Sequence, residues 1–143
     1  MYRTNYDLLI EQISGLSEIS NNFIPVLANT SALLFADMKD LNWAGFYLVK
    51  DDNLLLGPFQ GKVACVAIEK GKGVCGTAYE KDEIQVVDNV HEFAGHIACD
   101  SASNSEIVIP IHKDGKVIAV LDIDSPVYSR FNEDDVKIGR AHV

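Results

Sequence analysis

The sequence predicts an α+β fold in which a mostly antiparallel β-sheet is flanked by helices. Three observations support this class. Apolar residues recur at helical spacing before residue 40, β-prone segments follow from residue 41 onward, and the turn sequences "KDDN" and "KDG" separate pairs of these segments as hairpin loops would. Two helices, then strands, then a hairpin and a last helix form the order expected of an α+β domain.

Two helices are predicted at the start of the chain. Residues 3–19 place Tyr6, Leu9, Ile10, Ile13 and Leu16 three or four positions apart. The stretch "NNFIPVLANTSALLFADM" predicts the second helix, with Asn21 or Asn22 as its cap and Pro25 in its first turn. Its inward face is expected to consist of Phe23, Val26, Leu27, Leu34 and Met38.

The predicted strands are "LNWAGFYLV", "LLLGPFQG", "KVACVAI", "IQVVD", "EIVIPIH" and "KVIAVLDID". A short helix is predicted at "GVCGTAYEK", and a terminal helix at "NEDD", whose acidic residues suit the positive end of a helix dipole. No repeat or linker divides the sequence, so residues 1–143 are expected to form a single domain.

The net charge of the chain and the pattern of its apolar residues limit which ligands and which cellular location are expected. The net charge of −9 opposes binding to nucleic acids or to anionic membranes, whereas it suits a small ligand that carries an ammonium group. No apolar run has the length of a spanning helix, and "MYRTNYDLLIEQ" lacks the apolar core of a signal peptide. A cytoplasmic location is therefore expected.

Strand alternation places Trp43, Gly45 and Tyr47 on one face of the first predicted strand. The glycine leaves a gap between two aromatic side chains. Such a gap is typical of a β-bulge or of close helix packing, and it is also what a pocket walled by Trp43 and Tyr47 would need. The sequence alone favours the bulge or the packing.

The last predicted strand places Ile118, Val120, Asp122 and Asp124 on one face. Two neighbouring carboxylates are costly at a strand end unless water, a cation or hydrogen-bond donors meet them. An exposed strand end and a pocket for a cationic ligand group are both compatible with this pattern. Glu106 opens the partner strand of the hairpin, so it is expected close to the two aspartates.

The three cysteines differ in their surroundings. Cys99 lies in "GHIACDSASNS", where small polar residues bring backbone N–H groups and hydroxyls close to the sulfur and can stabilise a thiolate. Cys75 is flanked by glycine in "GVCGT". Cys65 lies in a predicted strand, and its context favours a packed core thiol.

Two other kinds of site are disfavoured. His91, His96 and Cys99 are close in sequence, and Cys65 or Cys75 would be a fourth zinc ligand, but the paired spacing of structural zinc sites is absent. No metal is therefore expected. The stretch "GKGVCG" matches G-x-G-x-x-G literally, yet the helix after it is short and the neighbouring strands are predicted to be antiparallel.

Four blocks together resemble the free methionine-(R)-sulfoxide reductases, a family of single GAF domains. These blocks are "LNWAGFYLV", "LGPFQGKVACVAIEKGKGVCGTA", "GHIACDSASNSEIVIPI" and "VIAVLDIDSP", and the match runs in order from about residue 40 to residue 131. The resemblance implies that Cys99 is the attacking cysteine, Cys65 the resolving cysteine and Cys75 an additional thiol. For Cys65 it replaces the assignment as a core thiol.

The resemblance also assigns the pocket. It implies that Trp43 and Tyr47 wall the substrate site and that Glu106, Asp122 and Asp124 are its acidic residues. A carboxylic acid of raised pKa suits protonation of the sulfoxide oxygen, and another carboxylate suits pairing with the substrate's α-ammonium group. Glu106 and Asp124 are expected nearest the sulfoxide, although the division of roles stays open.

Reduction of free methionine-(R)-sulfoxide would leave Cys99 as a sulfenic acid, which Cys65 traps as a disulfide. Thioredoxin, supplied with electrons from NADPH, would reset the enzyme, and no bound cofactor is expected. The resemblance also implies a homodimer. The chain departs from the family after "YSRFNEDDVKIG", where "RAHV" replaces a fuller amphipathic helix.

A different class of function stays open beside the enzyme. GAF domains also bind small ligands or sense redox state without turnover, because one fold supports many functions. A non-catalytic sensor would not require Cys99, Cys65 and the acidic trio together.

Overall fold

The fold is described by a computed structural model over residues 23–96 and 102–137. The helix predicted at 3–19, Cys99 and the chain after residue 137 lie outside these ranges. In order along the chain, the elements are α1 (Phe23–Asp37), β1 (Trp43–Lys50), β2 (Asn53–Gly61), β3 (Ala67–Ile68), α2 (Gly73–Lys81), β4 (Gln85–Val87), a 3₁₀ turn (Val90–Glu92), β5 (Ser105–Lys113), β6 (Lys116–Ser125) and α3 (Glu133–Val136).

The six strands form one sheet in the order β3-β2-β1-β6-β5-β4, and each neighbouring pair is antiparallel. The predicted α+β class is confirmed. Both predicted hairpin turns are present, because Asp51 and Asp52 after β1, and Asp114 and Gly115 after β5, all have positive φ angles. Two successive positive φ angles match the right-handed twist of the flanking strands.

Helix α1 covers one face of the sheet. Its Leu27 and Leu34, with Met38 beyond its end, pack against β1, β5 and β6 side chains such as Phe46 and Leu121. The prediction that Phe23 faces inward is wrong, since its side chain is 41% exposed. Phe23 is the first residue of the helix, and the buried residues of the helix begin one turn later, at Leu27.

The opposite face of the sheet packs against α2 and carries the residues of interest. Trp43, Tyr47 and Val120 belong to this second core together with Val74 and Cys75 of α2. Ile118, predicted to share a face with Val120, instead packs in the core on the α1 side. The register between β5 and β6 shifts beside it, from Ala119 to Val117, and this irregularity interrupts the alternation.

The strand predicted at "KVACVAI" is wrong except for its last two residues, because β3 spans only Ala67–Ile68. The Trp43 indole N–H donates to the Lys62 carbonyl, and the Tyr47 hydroxyl donates to the Cys65 carbonyl. Side chains of β1 thus bond the carbonyls of this stretch, and residue pairing with β2 begins at Ala67. Cys65 therefore lies in irregular backbone and not in a strand.

The terminal helix begins where "NEDD" predicts it. The Asn132 side chain caps α3 by accepting from the backbone N–H of Asp134 and Asp135, and the Asp135 carboxylate accepts from the Asn132 N–H in return. Among the helices of residues 23–96 and 102–137, none combines the length and apolarity needed to cross a bilayer.

Candidate active site

Three carboxylates meet on the α2 face of the sheet. Glu106 on β5 pairs directly with Asp124 on β6, and Asp122 lies two residues away on the same face of β6. All three are buried, with 7% of Glu106, 6% of Asp122 and 8% of Asp124 exposed. The pattern therefore marks a buried acidic cluster, and the alternative of an exposed strand end is wrong.

Burial and mutual repulsion shift the acidity of this cluster. Burial raises the pKa of Glu106 well above its usual value, and the nearby Asp122 and Asp124 raise it further. Burial also raises the pKa of Asp122, although hydrogen bonds from Glu106, Cys75 and Asp124 oppose that rise. Because three carboxylates this close do not all ionise together, the cluster retains protons at pH values where an exposed carboxyl has lost its own.

One oxygen of the cluster has no bonding partner in the described part of the chain. Asp122 Oδ1 is buried and accepts no hydrogen bond from residues 23–96 or 102–137. A buried acceptor without a donor is costly, so a donor supplied by a ligand would be stabilised there. Asp122 also lines the cavity beside the cluster.

Cys75 adds a thiol to the acidic cluster. It lies in the first turn of α2, is buried and is a free cysteine, with its Sγ 4.0 Å from Glu106 Oε2. Burial raises the pKa of this thiol, and the neighbouring Asp122, Glu106 and Asp124 raise it further. Cys75 therefore stays protonated, which makes it a poor nucleophile.

Cys75, Glu106 and Asp122 are also the described residues that could coordinate a metal ion at this site. Cys75 Sγ and carboxylate oxygens of Glu106 and Asp122 all lie within 4.8 Å of one another. Of the two histidines considered for a zinc site, His91 has another partner, since its Nε2 lies 2.8 Å from Asn104 Oδ1.

Aromatic side chains form the wall beside the carboxylates. The rings of Trp43 and Tyr47 stack with their centroids 6.0 Å apart, and Phe59 of β2 stacks on Trp43 at 5.1 Å. Gly45 makes room for Phe59, because a Cβ there would lie 2.2 Å from the Phe59 Cβ. Both sequence interpretations hold: the register shifts between Gly45 and Tyr47, as a bulge requires, and Trp43 and Tyr47 line a cavity.

The polar ends of the two wall residues bond the stretch around Cys65. Trp43 Nε1 lies 3.1 Å from the Lys62 carbonyl oxygen, and Tyr47 Oη lies 2.9 Å from that of Cys65. Burial, reinforced by the nearby carboxylates and Cys75, raises the pKa of Tyr47. The phenol therefore stays protonated and donates the hydrogen bond to the Cys65 carbonyl. Cys65 itself is half-buried and disulfide-bonded.

The cavity also has polar residues that the sequence did not place in a pocket, although His96 was a candidate zinc ligand. His96 and Ser103, which precede and follow the Cys99 segment along the chain, both line it. Burial and the nearby His91 lower the pKa of His96, which favours a neutral ring, and Ser103 accepts a hydrogen bond from Asn42. Their closeness to Cys99 in the sequence was the available signal. Cys99 lies outside the described residues.

Comparison with known proteins places this geometry in a family. A sequence model of the GAF domain matches residues 27–141. The "Free methionine-R-sulfoxide reductase" of Escherichia coli K12 is 54% identical over 130 residues, which are 91% of this chain and 79% of that protein. The chain belongs to the free methionine-R-sulfoxide reductase family.

Solved structures agree with this assignment. The fRMsr of Staphylococcus aureus in complex with substrate superposes with a TM-score of 0.93 at 50% identity, covering 99% of this chain and 93% of that one. A putative GAF sensor protein from Burkholderia vietnamiensis superposes with a TM-score of 0.90 at 51% identity, covering 95% of this chain and 87% of that one. The GAF fold predicted from the sequence is confirmed.

Proposed function

We propose that this protein reduces free L-methionine-(R)-S-oxide to L-methionine. The observation that carries the proposal is one cavity lined by two aromatic rings, a free thiol and three buried carboxylates. That combination suits a small zwitterion with an apolar S-methyl end. The family membership, and the relatives named for this activity, support the same substrate.

The two ends of the substrate have different partners. The S-methyl group packs on Trp43, beside Tyr47, because apolar contact and sulfur–aromatic contact both favour a ring face or edge. Asp122 accepts a hydrogen bond from the α-ammonium group at its unpartnered Oδ1. Methionine within a peptide lacks this ammonium group, so the protein selects the free amino acid.

Reduction begins with the Cys99 thiolate. Its sulfur attacks the sulfoxide sulfur while the oxygen takes a proton from Glu106, whose raised pKa keeps that proton available. Asp124, opposite Glu106 in the sheet, shares the hydrogen bonding to this oxygen. The oxygen then transfers from the methionine sulfur to the Cys99 sulfur, so that the substrate S–O bond and the transient S–S bond both break. Cys99 is left as a sulfenic acid, and methionine leaves with its sulfur reduced.

Cys65 then resolves the sulfenic acid. Its sulfur attacks Cys99, the S–O bond breaks, water leaves and a disulfide forms. The disulfide at Cys65 and the free thiol at Cys75 support this pairing over one that uses Cys75. The additional thiol stays in the pocket as a weak hydrogen-bond donor to Glu106.

An external dithiol, with thioredoxin as the expected donor, returns the protein to its reduced form, and no bound cofactor takes part. Reduction requires that the donor reach the disulfide. The side chains on either side of Cys65 support such access, since Val63 is 87% exposed and Val66 is 67% exposed. Apolar side chains at a surface are also suited to contact with a partner protein.

The test is NADPH oxidation with thioredoxin and its reductase, supplied separately with free methionine-(R)-sulfoxide, the free S form and a peptide-bound form. Turnover of the free R form alone is expected. A protein that reduces the peptide-bound form equally well would contradict the role of the ammonium group. A matched assay with dithiothreitol separates failure of the donor from failure of the chemistry.

The sensor alternative is tested with Cys99→Ser. For a reductase, this variant loses turnover and still binds free methionine-(R)-sulfoxide, measured by calorimetry. A non-catalytic sensor shows binding without turnover already in the unmodified protein. The similarity to a putative GAF sensor protein makes this control necessary.

A further inference from the structure

The stretch that carries Cys65 is held by the side chains of the aromatic wall. Tyr47 Oη donates to the Cys65 carbonyl oxygen at 2.9 Å, and Trp43 Nε1 donates to the Lys62 carbonyl oxygen at 3.1 Å. Both donors are buried side chains of β1, the central strand beside β6. The two residues therefore contact the pocket with their rings and this stretch with their polar ends.

The described residues restrain this stretch in two other ways, because Ala64 and Cys65 pack against the second core and Cys65 is disulfide-bonded. Residues 62–66 are outside the strands, and the ladder to β2 resumes with the bond from the Leu56 N–H to the Val66 carbonyl. The side chains of Val63 and Val66 are exposed and add little packing. In the reduced protein, where the disulfide is broken, the position of the Cys65 backbone is therefore expected to depend on the bond from Tyr47 to its carbonyl together with this packing.

We propose that Tyr47 is a positioning residue for the resolving step, holding the backbone of Cys65 where its sulfur attacks the sulfenic acid of Cys99. In that step a sulfur–sulfur bond forms, the sulfur–oxygen bond of the sulfenic acid breaks, and water leaves with the Cys65 proton. Loss of the phenol hydroxyl leaves the ring in place but frees the Cys65 backbone, and a small misplacement of a reacting atom slows a reaction strongly. This role rests on the proposed function, and it gives Tyr47 a part in the resolving step in addition to its place in the wall of the cavity.

The experiment measures two steps in one reaction. Reduced protein is mixed with excess free methionine-(R)-sulfoxide and no reductant, and samples are quenched over time. Chromatography gives the rate of methionine formation, and loss of the free thiol at Cys65, followed by alkylation and mass spectrometry, gives the rate of disulfide formation. Dimedone labelling followed by mass spectrometry reports the sulfenic acid at Cys99.

Tyr47→Phe is compared with Tyr79→Phe. Tyr79 is a matched control because its hydroxyl donates to Asp52 at the surface, 2.6 Å away and outside the cavity. In Tyr47→Phe we expect the ratio of disulfide formation to methionine formation to fall about tenfold, with more dimedone adduct at Cys99. In Tyr79→Phe the ratio stays at the wild-type value.

Two results would overturn the proposal. One is an unchanged ratio in Tyr47→Phe, which with an equal fall of both rates would make Tyr47 a substrate contact alone, and the other is a dimedone adduct that does not rise. Trp43→Phe provides a second test should Tyr47→Phe fold poorly, because it removes the bond to Lys62 and keeps a smaller ring in the wall. Since Trp43 also contacts the substrate, both rates are expected to change, and the test is a fall in the ratio that is smaller than in Tyr47→Phe. If the wild-type protein formed no methionine, that result would instead overturn the proposed function itself.

Discussion

Glu106 and Asp124 lie directly opposite each other on β5 and β6, and both are buried on the face that α2 covers. Directly opposed like charges destabilise a pair of strands. Burial and the neighbouring aspartates raise the pKa of Glu106, so this pair is accommodated by keeping a proton and not by ionising fully. In the proposed reaction, this retained proton is the one that Glu106 donates to the sulfoxide oxygen.

Glu106→Gln is expected to lower the rate of methionine formation by about 100- to 1000-fold, the usual contribution of a positioned general acid. The amide can still donate a hydrogen bond, but it cannot transfer a proton to the sulfoxide oxygen. The fall should appear mainly in kcat, and single-turnover methionine release measures it directly. Glu83→Gln, which changes an exposed carboxylate of the same type, should leave the rate as it is.

The stability of the reduced protein is expected to fall as the pH rises above the ordinary pKa of glutamate, 4.5. Glu106 has a raised pKa in the folded state, so over that window the folded protein holds more protons than the unfolded chain. Its stabilising effect is complete below 4.5 and is lost as the pH rises through the folded-state value. The size of the loss follows the difference between the folded and unfolded pKa values of this one carboxyl group.

The Glu106→Gln variant tests this linkage, because the amide does not titrate. Urea denaturation at about pH 5 and about pH 8 should show the variant gaining stability relative to the wild type as the pH rises. Parallel pH profiles for the two proteins would contradict the raised pKa of Glu106. Asp122, whose pKa is also raised by burial, leaves a residual slope in both proteins.

Asp122→Asn is expected to raise the KM for free methionine-(R)-sulfoxide by about 10- to 100-fold, the range for loss of a hydrogen bond to a charged group. The unpartnered Oδ1 of Asp122 is the acceptor proposed for the ammonium group. An analogue that lacks the amino group should bind the wild type weakly and lose little more in the variant. Equal losses for substrate and analogue would assign Asp122 to the sulfoxide end, and Asp88→Asn, at an exposed position, is the control.

Much of the site followed from local pattern. In β1 and β6, two-residue alternation placed Trp43 with Tyr47 and Asp122 with Asp124, and the hairpin register brought Glu106 opposite Asp124. These features were predictable because an antiparallel hairpin fixes its own register and each side chain's face. Alternation failed at Ile118, where a local irregularity that no sequence signal marks turned the side chain to the other core.

Features that depend on distant segments were not predictable in this way. Phe59 fills the gap at Gly45, and Cys65 leaves the strand pattern because Tyr47 bonds its carbonyl. The burial of Cys75 against Glu106 likewise arises from the packing of α2 on the sheet. Each of these contacts joins residues 14 or more positions apart, where local propensity gives no information about distance.

Gly45→Ala is expected to destabilise the protein by about 1–3 kcal/mol, the cost of forcing a methyl group into a packed core. The added Cβ would lie 2.2 Å from the Phe59 Cβ and 2.7 Å from the Phe59 Cα, so strand β2 must move. Gly57→Ala is the matched control, because its Cβ would lie 3.0 Å from the Phe46 carbonyl oxygen and 3.1 Å from the flexible Leu48 side chain. These approaches are less severe, and a smaller loss is expected.

Urea denaturation measures the stability of both glycine variants. The Phe59 and Trp43 ring centroids are 5.1 Å apart, and Trp43 fluorescence reports whether Phe59 moves away from the indole. A displaced Phe59 would loosen the aromatic wall, so Gly45→Ala should raise the KM for free methionine-(R)-sulfoxide as well as lower stability. Equal destabilisation by the two alanines, with unchanged Trp43 fluorescence, would show that the close approach of β2 to Gly45 is not what holds the wall in place.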